Sequence, residues 1–176
     1  MIGNFDVGKM GGKVAQYNAI KGTLRPIRDN VIIEDNVTIG DYCLIGFSNN
    51  GKSKKLLIKK GVKINSHSII YNNSTIGKDS IIGHRVLVRE KTSIENNVQI
   101  GSFSDIEGSC KILSYAKLHS NVHVGQHSLI MDYAWLFPYV ILTNDPIPPS
   151  YIRKGVIVEP FAIVCTRSTV LPGKKI

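Results

Sequence analysis

The stretch Ile76-Gly77-Lys78-Asp79-Ser80-Ile81-Ile82-Gly83-His84-Arg85-Val86-Leu87-Val88-Arg89-Glu90-Lys91-Thr92-Ser93 decides the fold. An aliphatic residue opens each block of six, and a small or β-branched residue follows it four positions later. Stepping outward by six, the first position stays aliphatic from Ile58 to Leu142 without a miss. The position four later reads Val62, Ser68, Ser74, Ser80, Val86, Thr92, Val98, Ser104, Cys110, Ala116, Val122, Ser128, Ala134 and Val140. Ile33, Ile39 and Ile45 keep the same step earlier in the chain, as do Val158, Val164 and Val170 later.

A period of six matches neither a helix nor a plainly alternating strand, but it suits short strands joined by tight corners with two residues per side facing inward. Three such sides close a triangular coil. Residues 18 apart in sequence then stack at about 4.8 Å, with parallel-sheet hydrogen bonds running along the coil axis. Asn36, Gly61, Asn73, Asn97 and Asn121 share one corner position, where tolerance of positive φ is required. The phase breaks between Ile45 and Ile58 and again between Leu142 and Val158, so two loops leave the same edge of the prism. Residues 1–26 form a non-repetitive N-terminal cap, with a short helix expected over Val14 to Lys21, and residues 27–176 form the repeat domain. An eighth coil begins at Ile176, which suggests a truncated terminus.

Composition bounds the remaining possibilities. Of the 176 residues, 43% are hydrophobic and 20% charged, which excludes intrinsic disorder, and the abundance of Ile, Leu and Val favours sheet. The longest apolar stretch, Ala134 to Leu142, contains Pro138 and is too short to span a membrane; no export signal opens the chain. Cys43, Cys110 and Cys165 lie far apart and fit buried thiols in a reducing compartment, so a cytoplasmic enzyme is expected. The net charge of +9 favours an anionic partner, and no nucleic-acid-binding motif accompanies the lysines between Lys52 and Lys63.

The whole pattern resembles the hexapeptide-repeat, left-handed parallel β-helix family, whose members are mostly trimeric, acyl-CoA-dependent acyltransferases. The resemblance implies an all-β coil of about seven turns, the left hand, and a homotrimer. Trp135-Leu136-Phe137-Pro138-Tyr139-Val140-Ile141-Leu142-Thr143-Asn144-Asp145-Pro146 resembles more narrowly the N-acetyltransferases of nucleotide-linked amino sugars, as does Leu118-His119-Ser120-Asn121-Val122-His123-Val124. Phe137 replaces a frequent glycine, and Arg153 stands in for an arginine expected nearer the loop proline. The likeness implies acetyl-CoA as co-substrate and an amino sugar as acceptor. It places Asn121 near the reacting groups, Asn144 and Asp145 at the acceptor, and Cys165, Thr166, Arg167 and Lys174 along the coenzyme cleft.

Read from the register alone, His119 and His123 both face outward beside the Asn121 corner, as general-base candidates. His127 lies 18 residues before Asp145, a spacing that would pair an imidazole with a carboxylate. Asn144 and Asp145 also fit a simple Asx turn before Pro146. Tyr133, Trp135, Phe137 and Tyr139 crowd one coil at non-inward positions, which suits a subunit contact or, for Trp135, stacking on substrate.

The coil also resembles trimeric zinc carbonic anhydrases at Ile82-Gly83-His84, but Arg89 occupies the second ligand position and a guanidinium does not coordinate zinc. No metal is expected. O-acetyl transfer to a sugar hydroxyl and a non-catalytic scaffold remain as alternatives.

Overall fold

The structure is a computed structural model that describes Ile27 and residues 30–48 and 54–176. The expected cap over residues 1–26, its Val14 to Lys21 helix and Lys52 lie outside the described residues. Strands of two to four residues assemble into three parallel sheets of seven strands each. The first sheet runs from Val31–Ile33 to Ile157–Val158, the second from Thr38–Ile39 to Ile163–Val164, and the third from Leu44–Phe47 to Thr169–Val170. Each strand pairs with the strand one coil away, as in Lys117↔Trp135 of the second sheet and Asp105↔His123 of the third. The molecule is a parallel β-helix, as the repeat predicts, with the left hand that the resemblance implies.

Both inward columns form a continuous core: Ile58, Ile70, Ile82, Ile106, Ile112 and Leu142 are wholly buried, as are Val62, Cys110, Ala116 and Val140. The second column tolerates serine because each buried hydroxyl bridges coils. Ser80 Oγ donates to Glu95 O at 2.9 Å and accepts from Val98 N at 3.1 Å, and Ser68, Ser74 and Ser104 repeat the arrangement. At several positions where the residue one coil earlier is Val or Ala, the same amide makes a longer turn bond instead, as in Ala116 N→Leu113 O and Val140 N→Phe137 O, both 3.4 Å.

The corners extend the sequence reading. One residue in nearly every hexad adopts a left-handed φ, and these include Tyr115, Tyr133, Phe161, Arg85 and Arg167 as well as the expected Asn36, Gly61, Asn73, Asn97 and Asn121. A left-handed conformation costs a non-glycine residue about 1 kcal/mol. The corner amide offsets this by donating to the preceding coil: Phe103 N→His84 O, Asn121 N→Ser102 O and Tyr139 N→Ser120 O are 2.9, 3.0 and 3.2 Å. The two phase breaks fall after Leu44–Phe47 and after Ile141–Leu142, both in the third sheet, so both loops leave the edge between the third and first sheets.

Ile82→Ala should destabilise the protein by about 2–5 kcal/mol, the range for deleting a fully buried aliphatic side chain. Ser80→Ala should cost only about 1 kcal/mol, because Val98 N can fall back on the turn bond used elsewhere in the coil. Urea unfolding of the two variants checks the ranking, and equal losses would contradict the bridging role of the serines.

Candidate active site

The outer face of the third sheet is apolar along its first row at Leu44, Ile69, Leu87 and Ile141, and between Leu87 and Ile141 it carries the ionisable rungs Asp105 and His123. The 18-residue register sets these two side chains side by side. His123 Nδ1 lies 3.5 Å from Asp105 Oδ2, and His123 Nε2 lies 3.8 Å from Glu107 Oε1. The hydrogen bond to Asp105 raises the imidazole pKa above its ordinary value, with the charges of Glu107 and Asp105 adding to the effect and partial burial opposing it. Asp105 Oδ1 is buried with no hydrogen-bond partner.

Glu107 joins this pair to the second loop. Its Oε2 accepts from Asn144 Nδ2 at 2.6 Å and from Gln126 N at 3.2 Å. Asn144 itself is buried, and it fits because Gly125 lies beneath it: a Cβ on Gly125 would sit 3.0 Å from Asn144 Cβ and 2.7 Å from Leu142 O. Asn144 therefore begins the loop by packing down onto the sheet.

Asp145 does not pair with His127 as the spacing suggested. It holds its own loop instead, accepting from Ser150 N and the Ser150 hydroxyl and pairing with Arg153 Nη1 at 2.6 Å. The Ser150 hydrogen bond, with Arg153 adding, keeps the Asp145 carboxyl below its ordinary pKa. Lys154 N→Asn144 O at 2.8 Å closes the loop at its base. The ten-residue insertion carries Asp145 off the coil register, and His127 stands exposed at a left-handed corner.

His119 belongs to a different face. It is exposed at the end of the Lys117–Leu118 strand in the second sheet and stacks on Phe137, with ring centroids 6.0 Å apart. Trp135 stacks on Phe137 at 5.3 Å, and Lys117 Nζ sits 5.3 Å from the Trp135 ring centroid. Beside them runs a groove of about 410 Å³ bordered by Ile81, Gln99, Lys117, His119, Ser120 and Trp135. Asn121 occupies the corner between this groove and His123, within a column of large side chains where Arg85 lies over Phe103 and Arg167 over Tyr139.

The aromatic residues expected to form one cluster therefore divide by column. Trp135 lines the groove and Phe137 stacks on it, whereas Tyr133 stacks between Tyr115 and Phe161 on another corner, at 4.9 and 5.1 Å. Cys43 and Cys110 are buried as expected, and burial pushes the Cys110 thiol up to about 11. Cys165 is exposed, contrary to expectation, because it falls just past the inward Val164 and faces solvent. Cys165, Thr166 and Arg167 follow the last strand of the second sheet, and exposed Lys174 lies past the far end of the Thr169–Val170 strand. Lys175 is paired with Glu159 at 2.6 Å.

Sequence reasoning missed Asp105 and Glu107. The signal for Asp105 was present, since it precedes His123 by the same 18 residues that stack every rung not interrupted by an insertion. Glu107 had no such signal, because its contact with Asn144 spans 37 residues and reaches into the start of the insertion, off the 18-residue step.

No protein-family model and no curated protein matches the chain. Among solved structures, the UDP-N-acetylglucosamine O-acyltransferase of Moraxella catarrhalis RH4 is similar with a TM-score of 0.59 at 17% identity, over 69% of this chain and 54% of that one. The chain thus spans about half the length of that enzyme. The UDP-N-acetylglucosamine acyltransferase of Bacteroides fragilis 9343 matches at 15% identity over 83% and 67% of the two chains with a TM-score of 0.42. A perosamine N-acetyltransferase variant from Caulobacter crescentus matches at 16% over 84% and 50% with a TM-score of 0.29. At these identities the likeness is one of fold, and the Moraxella structure carries it: this chain has the hexapeptide-repeat coil of that acyltransferase. No helix among the described residues is long and apolar enough to cross a membrane.

The ring protons of His123 should titrate above the ordinary histidine value of 6.5, and Asp105→Asn should bring the midpoint down, both measured by NMR. A raised folded-state pKa stabilises the fold below the unfolded value, and that contribution is lost as pH rises through the folded value. The stability deficit of Asp105→Asn should therefore be greatest just below about pH 6.5 and shrink as pH climbs through the raised value. An unchanged midpoint in Asp105→Asn would contradict the assignment.

Proposed function

We propose that the protein is an acetyl-CoA-dependent N-acetyltransferase acting on an amino group of a nucleotide-linked sugar, working as a homotrimer. The observation that supports this best is His123 held against Asp105 at the third-sheet face, on a coil whose fold is that of a known acyltransferase. A carboxylate on Nδ1 fixes the tautomer that leaves Nε2 free to accept a proton.

The chemistry follows in order. The acceptor ammonium gives one proton to His123 Nε2, and the neutral amine attacks the thioester carbonyl carbon. As the C–N bond forms and the C–S bond breaks, the sulfur takes the bonding pair and the second proton from nitrogen, leaving an amide and a free thiol. His123 returns its proton to solvent. Asn121, at the corner next to His123, donates to the tetrahedral oxyanion in this reading. His119 and Trp135 border the groove that receives the remainder of a substrate. Cys165, Thr166, Arg167 and Lys174 supply exposed backbone and positive charge for the coenzyme, in keeping with the net charge of +9.

A sugar hydroxyl is the second reading, favoured by the same Asp105–His123 pair, because a hydroxyl needs a strong positioned base. Thiol release from acetyl-CoA with a panel of nucleotide-linked amino sugars and their hydroxyl counterparts distinguishes them. For an amine, His123→Ala should lose about 10²-fold in kcat and Asn121→Ala a similar amount. His119→Ala should lose less than either. A His123→Ala loss above about 10⁴-fold with hydroxyl acceptors alone would replace the amine reading.

The trimer has its own check. Two loops leaving one edge, together with an exposed Tyr115–Tyr133–Phe161 stack, suit a neighbour packed along the prism. Light scattering at micromolar concentration should give three times the chain mass, and a monomer would remove the shared assembly.

A further inference from the structure

We propose that Glu107 selects the acceptor, favouring an ammonium group over a hydroxyl; this rests on the acyl-transfer reading above. The basis is the way two acceptors face each other. Once His123 has lost its proton, with Nδ1 turned to Asp105, the imidazole presents its Nε2 lone pair toward Glu107 Oε1 across 3.8 Å. That separation is too long for a direct hydrogen bond. Two lone pairs facing each other repel unless a donor lies between them.

An ammonium answers both. It carries three N–H donors, so one nitrogen about 2.8 Å from each acceptor serves Nε2 and Oε1 together. Its positive charge is matched by the two carboxylates that flank the imidazole. A hydroxyl has one proton. It satisfies Nε2 or Oε1 and leaves the other facing an oxygen lone pair, and an unmet polar group in a site costs more than a met one returns.

Glu107 is also fixed in place. Its other oxygen is committed to Asn144 Nδ2 at 2.6 Å and Gln126 N at 3.2 Å, so Oε1 is aimed by the start of the loop on one side and by the next coil on the other. The preference is thus built into the backbone register and does not depend on a freely rotating side chain. Asp105 cannot supply it, because its near oxygen faces Nδ1.

The test is equilibrium binding of UDP-linked 2-, 3- and 4-amino sugars to the full chain at a pH just above the His123 midpoint found by NMR, each beside its hydroxyl counterpart. Wild type should bind one amino member at least about tenfold more tightly than its hydroxyl partner. Glu107→Gln should reduce that preference to about one, chiefly by weakening amine binding, and Glu107→Asp should restore part of it. A preference that survives Glu107→Gln, or none in wild type, overturns the proposal. Acetyl transfer by wild type is read in parallel: failure to acetylate any amine removes the proposed function, whereas transfer with an undiminished preference in Glu107→Gln removes only the role of Glu107. Wild-type protein offers a measurement that needs no variant. Methylammonium should shift the His123 ring signals at concentrations where methanol does not, and equal responses would count against the proposal.

Discussion

The backbone hydrogen bond between coils carries the architecture. Every side of the prism is two to four residues long, too short to be stable as an isolated strand, and each gains its order by pairing with the strand 18 residues away or, across an insertion, with the next one in its column. The same bonds continue through the corners, where amides such as Asn121 N and Tyr139 N donate to the coil before. That continuity is why tyrosine, phenylalanine and arginine occupy left-handed positions otherwise suited to glycine or asparagine. Backbone pairing sets the corner geometry, and the side chain at each corner is left to serve the surface.

The site inherits its precision from this ladder. Asp105 and His123 meet because they are partners in one register pair, and a one-residue slip would turn one of them inward. The core therefore fixes the imidazole without a dedicated support. Glu107 occupies the next outward position of the Asp105 strand, and Gly125 occupies the equivalent place beyond His123. Absence of a side chain at Gly125 admits Asn144, which ties the loop to Glu107. One glycine thus decides whether the loop joins the site or stands away from it.

Charge is distributed unevenly across the faces. The chain as a whole is basic, yet the third-sheet site brings two carboxylates to one imidazole. Lys117, Arg167 and Lys174 lie outside that cluster, on the second-sheet groove, the adjoining corner and the end coil. Such a division suits a substrate with a cationic reacting group and anionic remainder, because each part meets opposite charge.

The sequence by itself determined the coil, its three sides, its core columns and the edge from which both loops leave. Each of these follows from a period of six, which is local and repeats often enough to admit no second arrangement. It also marked His119, Asn121 and His123 as outward-facing residues around one corner. Tertiary structure decided which of them share a face: His119 stacks on Phe137 in the second sheet, whereas His123 meets Asp105 in the third. It also decided what an insertion does to register. Beyond Leu142 the count of 18 no longer applies, so Asp145 turned to Ser150 and Arg153 instead of His127, and Asn144 reached Glu107. A repeat specifies contacts at its own spacing, and a loop that breaks the spacing finds its partners only by folding back.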